Sequence, residues 1–161
     1  MNTFVFSSKE ELLAKVKKDG ACKEGLDWAK KQDSLETILK EIPLDYRLWC
    51  LGKGYSQFSD RCPWEQLDGF TLSYLLYKQP QFSDRCSWEK LNGFHWTDLL
   101  SKQPQFSYRC PWEKLNGFNW AYLLSKQPQF SDRCSLEKLN GIAWAYLLSE
   151  QPQLKKFMRG V

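Results

Sequence analysis

Apolar and polar positions recur along most of this chain with a period of 24 residues. The register is marked by four phenylalanines, Phe58, Phe82, Phe106 and Phe130. A period of this length is typical of proteins built from stacked structural repeats. Within each period an Asn-Gly or Asp-Gly turn precedes a stretch in which apolar residues lie three and four apart. This spacing predicts a main helix in every repeat, over residues 94–102 in the second one.

The prolines and serines between the main helices predict shorter helical turns. Pro104 ends a main helix and can open a short helix carrying Phe106 and Cys110, because proline lacks the amide that would go unpaired there. A third turn begins at a position held by Pro111 in one repeat and Ser87 in another, and both residue types favour helix starts. A β-solenoid is disfavoured because the repeats contain almost no Val, Ile or Thr. The predicted fold is an all-α solenoid of short helices.

Eight apolar positions in each repeat predict a continuous buried spine, since one 24-residue unit cannot bury them alone. One such set, spanning one period, comprises Cys86, Trp88, Leu91, Phe94, Trp96, Leu99, Leu100 and Phe106.

The first 54 residues do not repeat and predict a helical head that caps the stack. Ser8 and Glu11 have the form of a capping box, and Gly20 is a suitable terminator for the helix that follows. A second helix is expected over residues 21–31. A third is expected between Ser34 and Pro43.

A fourth segment of the head, residues 45–51, lies one period before the first main helix. Leu48 and Leu51 correspond to Leu72 and Leu75, so the segment reads as a degenerate half-repeat. The predicted organisation is one continuous solenoid domain. It comprises a helical head over 1–54, four repeats over 55–153 and a basic C-terminal cap over 154–161.

The composition is that of a folded and mildly basic protein. Its 161 residues are 16% aromatic and include eight tryptophans, which is enough apolar bulk for a buried interior. A net charge of +4 and a pI of 8.7 do not by themselves indicate a nucleic-acid partner. The sequence shows no signal peptide and no apolar run of about 20 residues. It therefore predicts a cytoplasmic protein without membrane association.

Four of the six cysteines occupy one position of the repeat: Cys62, Cys86, Cys110 and Cys134. Equivalent points in stacked helices lie about 8–10 Å apart, beyond the limit of roughly 7 Å between the Cα atoms of a disulfide. These thiols are therefore expected to pack as small side chains. With one histidine, His95, and no Cys-x-x-Cys pair, the chain lacks the usual zinc ligands. No metal or cofactor is expected.

Positions that vary between repeats are the candidates for recognition, because the positions that stay the same carry the shared packing. Two variable columns lie three residues apart on the main helix and can share one helix face. The candidate partner-binding residues are Thr71, Tyr74, His95, Asp98, Asn119, Tyr122, Ala143 and Tyr146. The alternative, neutral variation on a solvated surface, remains open. His95 has no partner in the sequence that would make it a catalytic base.

A column of arginines offers possible phosphate contacts: Arg61, Arg85, Arg109 and Arg133. Arginines about 8–10 Å apart can follow a phosphate backbone while tyrosines stack on bases. However, Asp60, Asp84 and Asp132 directly precede three of these arginines. A ladder of ion pairs between repeats is therefore the favoured interpretation.

Several sequence blocks resemble a known repeat. They are Gln103–Phe106, Cys110–Leu115 and Trp120–Pro128, together with residues 20–29 of the head. They are similar to a repeat, and to an N-terminal helical segment, of uncharacterised bacterial and phage-related proteins. The resemblance implies a bacterial or mobile-element origin and brings no catalytic residues.

The sequence as a whole predicts a scaffold that binds another macromolecule, most simply a protein, through the variable columns. Given the resemblance, one version is an inhibitor or adaptor acting on a bacterial or phage-encoded complex. The alternative is a nucleic-acid-binding repeat protein that uses the arginine and tyrosine columns. An enzyme is not expected, because no nucleophile, acid–base pair, metal set or phosphate loop is visible. The sequence does not determine the oligomeric state.

Overall fold

The structure, a computed structural model, describes residues 4–152. It contains helices and no strand in that range, which confirms the predicted class, an all-α solenoid of short helices. The α-helices are α1 (Lys9–Lys18), α2 (Lys23–Lys31), α3 (Leu35–Glu41), α4 (Leu44–Gly52), α5 (Gly69–Lys78), α6 (Gly93–Lys102), α7 (Gly117–Lys126) and α8 (Gly141–Glu150). The predicted cap at 154–161 lies outside the described residues.

The short turns between the α-helices are 3-10 helices. They comprise Ser56–Phe58, Trp64–Gln66, Pro80–Arg85, Trp88–Lys90, Pro104–Arg109, Trp112–Lys114, Pro128–Arg133 and Leu136–Lys138. Each complete repeat therefore contains one ten-residue α-helix. The three that begin with proline span six residues and the others span three. Three residues is the usual length of 3-10 helices, whose hydrogen bonds are less favourable than those of an α-helix.

The chain forms two compact units. The N-terminal unit comprises the chain up to Leu67 together with Lys78–Arg85, and the C-terminal unit comprises Asp68–Tyr77 and the chain from Cys86 onward. The predicted boundary at residue 54 does not coincide with this division. The reason is that the first repeat contributes to both units, with its 3-10 segments in one and most of α5 in the other.

In the N-terminal unit, α1–α4 pack around Leu12, Ile38 and Leu51, which are 2%, 1% and 0% exposed. Their ends follow the sequence signals. The Ser8 hydroxyl accepts a hydrogen bond from the Glu11 amide at 3.1 Å, and Gly20 has a φ of +83° that suits a helix terminator.

A buried arginine connects two elements of the N-terminal unit. Arg47 is 4% exposed, and its guanidinium donates to the carbonyl oxygens of Phe58 at 3.2 Å and Leu39 at 3.0 Å. Arginine at this depth requires such partners, because burying an unpaired charge is costly. Arg47 therefore fastens the end of α3 to the first 3-10 helix.

In the C-terminal unit, successive repeats are joined by a glutamine after each main helix. The side-chain amide of Gln103 donates to the Tyr77 carbonyl at 2.8 Å, and that of Gln127 donates to the Ser101 carbonyl at 2.7 Å. Each bond satisfies a carbonyl in the last turn of the preceding helix, which has no partner within its own helix. In the N-terminal unit Gln79 makes the same bond to Gly52 at the end of α4. The segment predicted as a half-repeat, residues 45–51, thus lies in a helix whose end accepts the same glutamine hydrogen bond as the end of a main helix.

Aromatic side chains form the core of the C-terminal unit. Trp88 stacks on Trp96 with ring centres 5.3 Å apart and meets Phe106 of the next repeat at 5.4 Å. In the following repeat Trp112 has the same two contacts, with Trp120 at 5.3 Å and Phe130 at 5.4 Å. Trp96 and Trp120 are each 1% exposed. The predicted buried spine is thus confirmed at Trp96 and Phe106, whereas Trp88 is half-buried.

The prediction of a buried spine is wrong at Phe94. It was expected to be buried, yet it is 65% exposed. The reason lies in the helix angle: Phe94 precedes the buried Trp96 by two residues, and about 100° per residue places the two side chains on nearly opposite sides of α6.

Candidate protein-binding surface

Large apolar side chains are exposed at the second position of all four main helices in the C-terminal unit. We call them the Phe row: Phe70, Phe94, Phe118 and Ile142, which are 64%, 65%, 53% and 68% exposed. Single exposed apolar residues are ordinary on protein surfaces. A set that recurs every 24 residues on one unit is different, because contiguous exposed apolar patches mark interaction sites.

The start of each main helix fixes the position of the Phe row. In α6, the Asn92 side chain caps the helix by accepting from the His95 amide at 3.0 Å. Gly93 follows as the first helical residue and Phe94 as the second. In α7, the Asn116 side chain accepts from the Asn119 amide, also at 3.0 Å. The row therefore sits on well-capped helix starts.

The first variable column, predicted to bind a partner, lies at the third position of the main helices. His95 Nδ1 accepts from the Asn92 amide at 3.3 Å, and Asn119 Oδ1 accepts from the Asn116 amide at 3.1 Å. These bonds complete capping boxes, in which the third side chain reaches back to the cap. Thr71 is half-buried and Ala143 is 0% exposed. The structure thus gives two residues of this column a local capping role.

The second predicted column lies beside the Phe row. Its members are Tyr74, Asp98, Tyr122 and Tyr146, which we call the Tyr row. Each follows a member of the Phe row by four residues, and such pairs share a helix face. Tyr74 is 46% exposed, and the other three are half-buried. The Phe row and the Tyr row together form the candidate binding surface.

Two ion pairs involve or adjoin the Tyr row. Lys102 Nζ lies 2.8 Å from an Asp98 carboxylate oxygen and 4.5 Å from the centre of the Tyr77 ring. The hydrogen bond to Asp98 is the main cause of the raised pKa of Lys102. Lys126 Nζ lies 3.3 Å from Glu150 Oε2. The surface consequently presents aromatic and aliphatic groups between charge pairs that are already satisfied.

The predicted phosphate contacts are exposed but divided between the two units. Arg61 and Arg85 belong to the N-terminal unit, where Arg85 lies 3.7 Å from Asp60 in the one ion pair of the predicted ladder that the described residues show. Arg109 instead places its guanidinium 5.1 Å from the Trp88 ring centre. Arg133 lines an open groove of about 620 Å³.

Tyr108 and Trp112 also line this groove, as do Asp132 and Phe130. Tyr108 is 73% exposed and accepts a hydrogen bond from Arg109 Nε at 3.2 Å. The groove thus combines aromatic faces with a cation, although the Asp132 carboxylate counteracts the attraction of an anion.

The repeated thiols are free, and burial disfavours their thiolate form. Burial raises the pKa of Cys86 and Cys110 to about 12 and that of Cys62 and Cys134 to about 11. A thiol nucleophile or metal ligand must be deprotonated. Within residues 4–152, moreover, no cluster of three or more His, Cys, Asp and Glu side chains is placed to hold a metal ion.

No protein-family model, curated protein or solved structure matches this chain. Its class, an all-α repeat protein of short helices, is therefore defined by the structure itself. None of the helices among the described residues is both long and apolar enough to cross a bilayer.

Sequence reasoning missed the Phe row because it looked for recognition at variable positions only. Phe70, Phe94 and Phe118 are identical in type and were therefore assigned to packing. The sequence signal for the exposure of this row is the angle between side chains around the helix axis. Counted from Trp96 at 100° per residue, Phe94 falls outside the apolar stripe that Leu99 and Leu100 define.

Proposed function

We propose that the chain is a protein-binding scaffold, and that the surface made by the Phe row and the Tyr row holds its partner. The observation that carries the proposal is the exposure of the Phe row at four successive repeats, from 53% to 68%. Aromatic residues are enriched in protein interfaces and supply much of their binding energy.

The partner is expected to contribute apolar side chains with few charges. The charges beside the surface, such as Asp98 with Lys102, already neutralise one another. An unpaired charge brought against them would lose its hydration without gaining a free counter-ion. Apolar groups would instead bury the rings of the Phe row, at about 25 cal/mol per Å² of apolar area removed from water.

The resemblance of the repeats to those of bacterial and phage-related proteins supports a narrower version of this proposal. In that version the scaffold is an inhibitor or adaptor that occupies a surface of a bacterial or phage-encoded complex. No catalytic step is assigned to the chain in either version.

The proposal is tested by photo-crosslinking and capture in cells of the native host. A photoreactive phenylalanine analogue at position 70 labels whatever covers the Phe row, and nuclease treatment removes nucleic-acid bridges. The double variant F94S/F118S should lose the labelled partner. The matched control V5S/L44S removes two other exposed apolar side chains and should retain it. Equal labelling with both variants would contradict the proposed surface.

The groove at Tyr108, Trp112 and Arg133 favours a second candidate function, the binding of single-stranded nucleic acid. Aromatic rings can stack on bases while arginine contacts phosphate. Fluorescence anisotropy with single-stranded RNA and DNA tests it. Affinity that falls steeply between about 50 and 200 mM salt, and that Y108A and R133A reduce, would support this function. Salt-independent binding unaffected by both variants would argue against it.

A further inference from the structure

The N-terminal unit contains an apolar cavity that the proposed function does not use. Its volume is about 270 Å³, and side chains of α1–α4 together with Phe58 line it. The principal apolar groups are Leu12, Leu26, Trp28, Ile38 and Trp49. A ligand site of this kind is concave and mostly apolar, with a small number of polar groups that orient the ligand.

Small residues leave this space open. Ala29 is on the cavity side of α2, and Gly20 and Ala21 line the cavity just before that helix begins. Apolar atoms beside an empty space lack partners for dispersion contacts on that side. A bound molecule would restore those contacts for Leu26 and Trp28, which are only half-buried.

Polar side chains also line the cavity. Burial is the main cause of the raised pKa of Tyr46, so its hydroxyl stays neutral and can donate or accept a hydrogen bond. The Asp45 carboxylate is exposed and can only accept when ionised. Cys22 is exposed too, which identifies its side of the cavity as the opening to solvent.

We propose that this cavity binds a small, uncharged and mainly apolar molecule that carries one hydrogen-bonding group. The volume of the cavity determines the size of the molecule that it can hold. A dry cavity of roughly 150 Å³ holds benzene, so about 270 Å³ accommodates a bicyclic aromatic ring system. Tyr46 or Asp45 would bond its polar atom, while the rings of Trp28 and Trp49 would contact its apolar body.

Indole is the probe for this site because it is bicyclic and uncharged and has one N–H donor. The first measurement is the rate at which iodoacetamide alkylates Cys22 in the full chain, followed by peptide mass spectrometry. Indole near 5 mM should slow that rate about fivefold. Cys134, a half-buried thiol of the C-terminal unit, is the internal control. Burial raises its pKa to about 11, so it should react slowly, and indole should leave that slow rate unchanged. Imidazole at the same concentration should protect neither thiol.

Cavity-filling variants make the test specific. Ala29 is buried and lines the cavity, so A29L should place its added carbons there and abolish the protection of Cys22. If A29L does not fold by circular dichroism, A21L serves the same purpose from the half-buried Ala21. No protection of Cys22 in the wild-type chain, equal protection of Cys134, or undiminished protection in a folded filled variant would each overturn the proposal.

Discussion

The carbonyl oxygen of Lys114 lies 2.4 Å from the point that a Cβ atom on Gly93 would occupy. A Cβ atom on Gly69 would likewise lie 2.3 Å from the Lys90 carbonyl oxygen, and one on Gly117 would lie 2.2 Å from the Lys138 carbonyl oxygen. At the first three Asn-Gly or Asp-Gly turns, the backbone of the next repeat therefore packs directly against the glycine. At Gly141 in the last repeat, no atom of residues 4–152 lies within 4 Å of the corresponding point.

Replacing Gly93 by alanine should consequently destabilise the protein, whereas the same change at Gly141 should not. In G93A the backbone of Lys114 must move, and overpacking of this kind costs about 1–3 kcal/mol. In G141A the new methyl group enters open space, so the free energy of unfolding should change by less than about 0.5 kcal/mol. Urea denaturation measures both. A loss of equal size in the two variants would contradict the stacking contact.

The Gln-Pro-Gln motif makes a second connection between repeats that can be tested. Gln127 Nε2 donates to the Ser101 carbonyl at 2.7 Å, and its Oε1 accepts from Gln129 Nε2 at 2.6 Å. Q127A removes both bonds and leaves a helix-end carbonyl without its donor, at a cost of about 1–3 kcal/mol. Q129A removes only an exposed bond and should cost less than about 1 kcal/mol. Chemical denaturation in which Q129A proves the more damaging variant would refute this assignment.

The sequence predicted the elements whose signals are local. The 24-residue period, the main helices and the buried Leu99 and Trp96 follow from spacing alone. The contact of Gly93 with Lys114 could not be predicted, because it joins positions 21 residues apart in sequence through the stacking geometry. His95 shows a different reason why a function cannot be assigned from variation between repeats alone. Its variability suggested recognition, but a side chain three residues after an asparagine cap can also vary among capping groups.

The Phe row yields a stability prediction that is independent of any partner. Phe94 is 65% exposed and Phe106 is 4% exposed, although both are phenylalanines repeated every 24 residues. F94A should therefore change the free energy of unfolding by about 0.5 kcal/mol or less, whereas F106A should lower it by about 3–5 kcal/mol. Thermal and urea denaturation give the two values. Comparable losses would show that Phe94 is a packing residue and would remove the basis of the binding surface.

A hydrogen-bonded carboxylate makes the N-terminal unit sensitive to acid. Asp19 pairs with Lys15, and the Tyr55 hydroxyl donates to its Oδ2 at 2.6 Å. The hydrogen bond from Lys15, followed by that from Tyr55, holds the pKa of Asp19 below its usual value of 3.8. A carboxyl group whose pKa is lowered by folding stabilises the folded state above its unfolded pKa. That contribution disappears as the pH falls through the lower, folded value.

The variant D19N tests this linkage, because asparagine cannot ionise. D19N should be less stable than the wild type at neutral pH, and the difference should shrink as the pH falls below 3.8, where the wild-type carboxylate takes up its proton. Thermal melts between about pH 2 and pH 7 measure the difference. The control is E36Q, which neutralises an exposed carboxylate of α3 and should run parallel to the wild type. A D19N difference that stays constant across this range would mean that packing, and not the charge of Asp19, is responsible for its contribution.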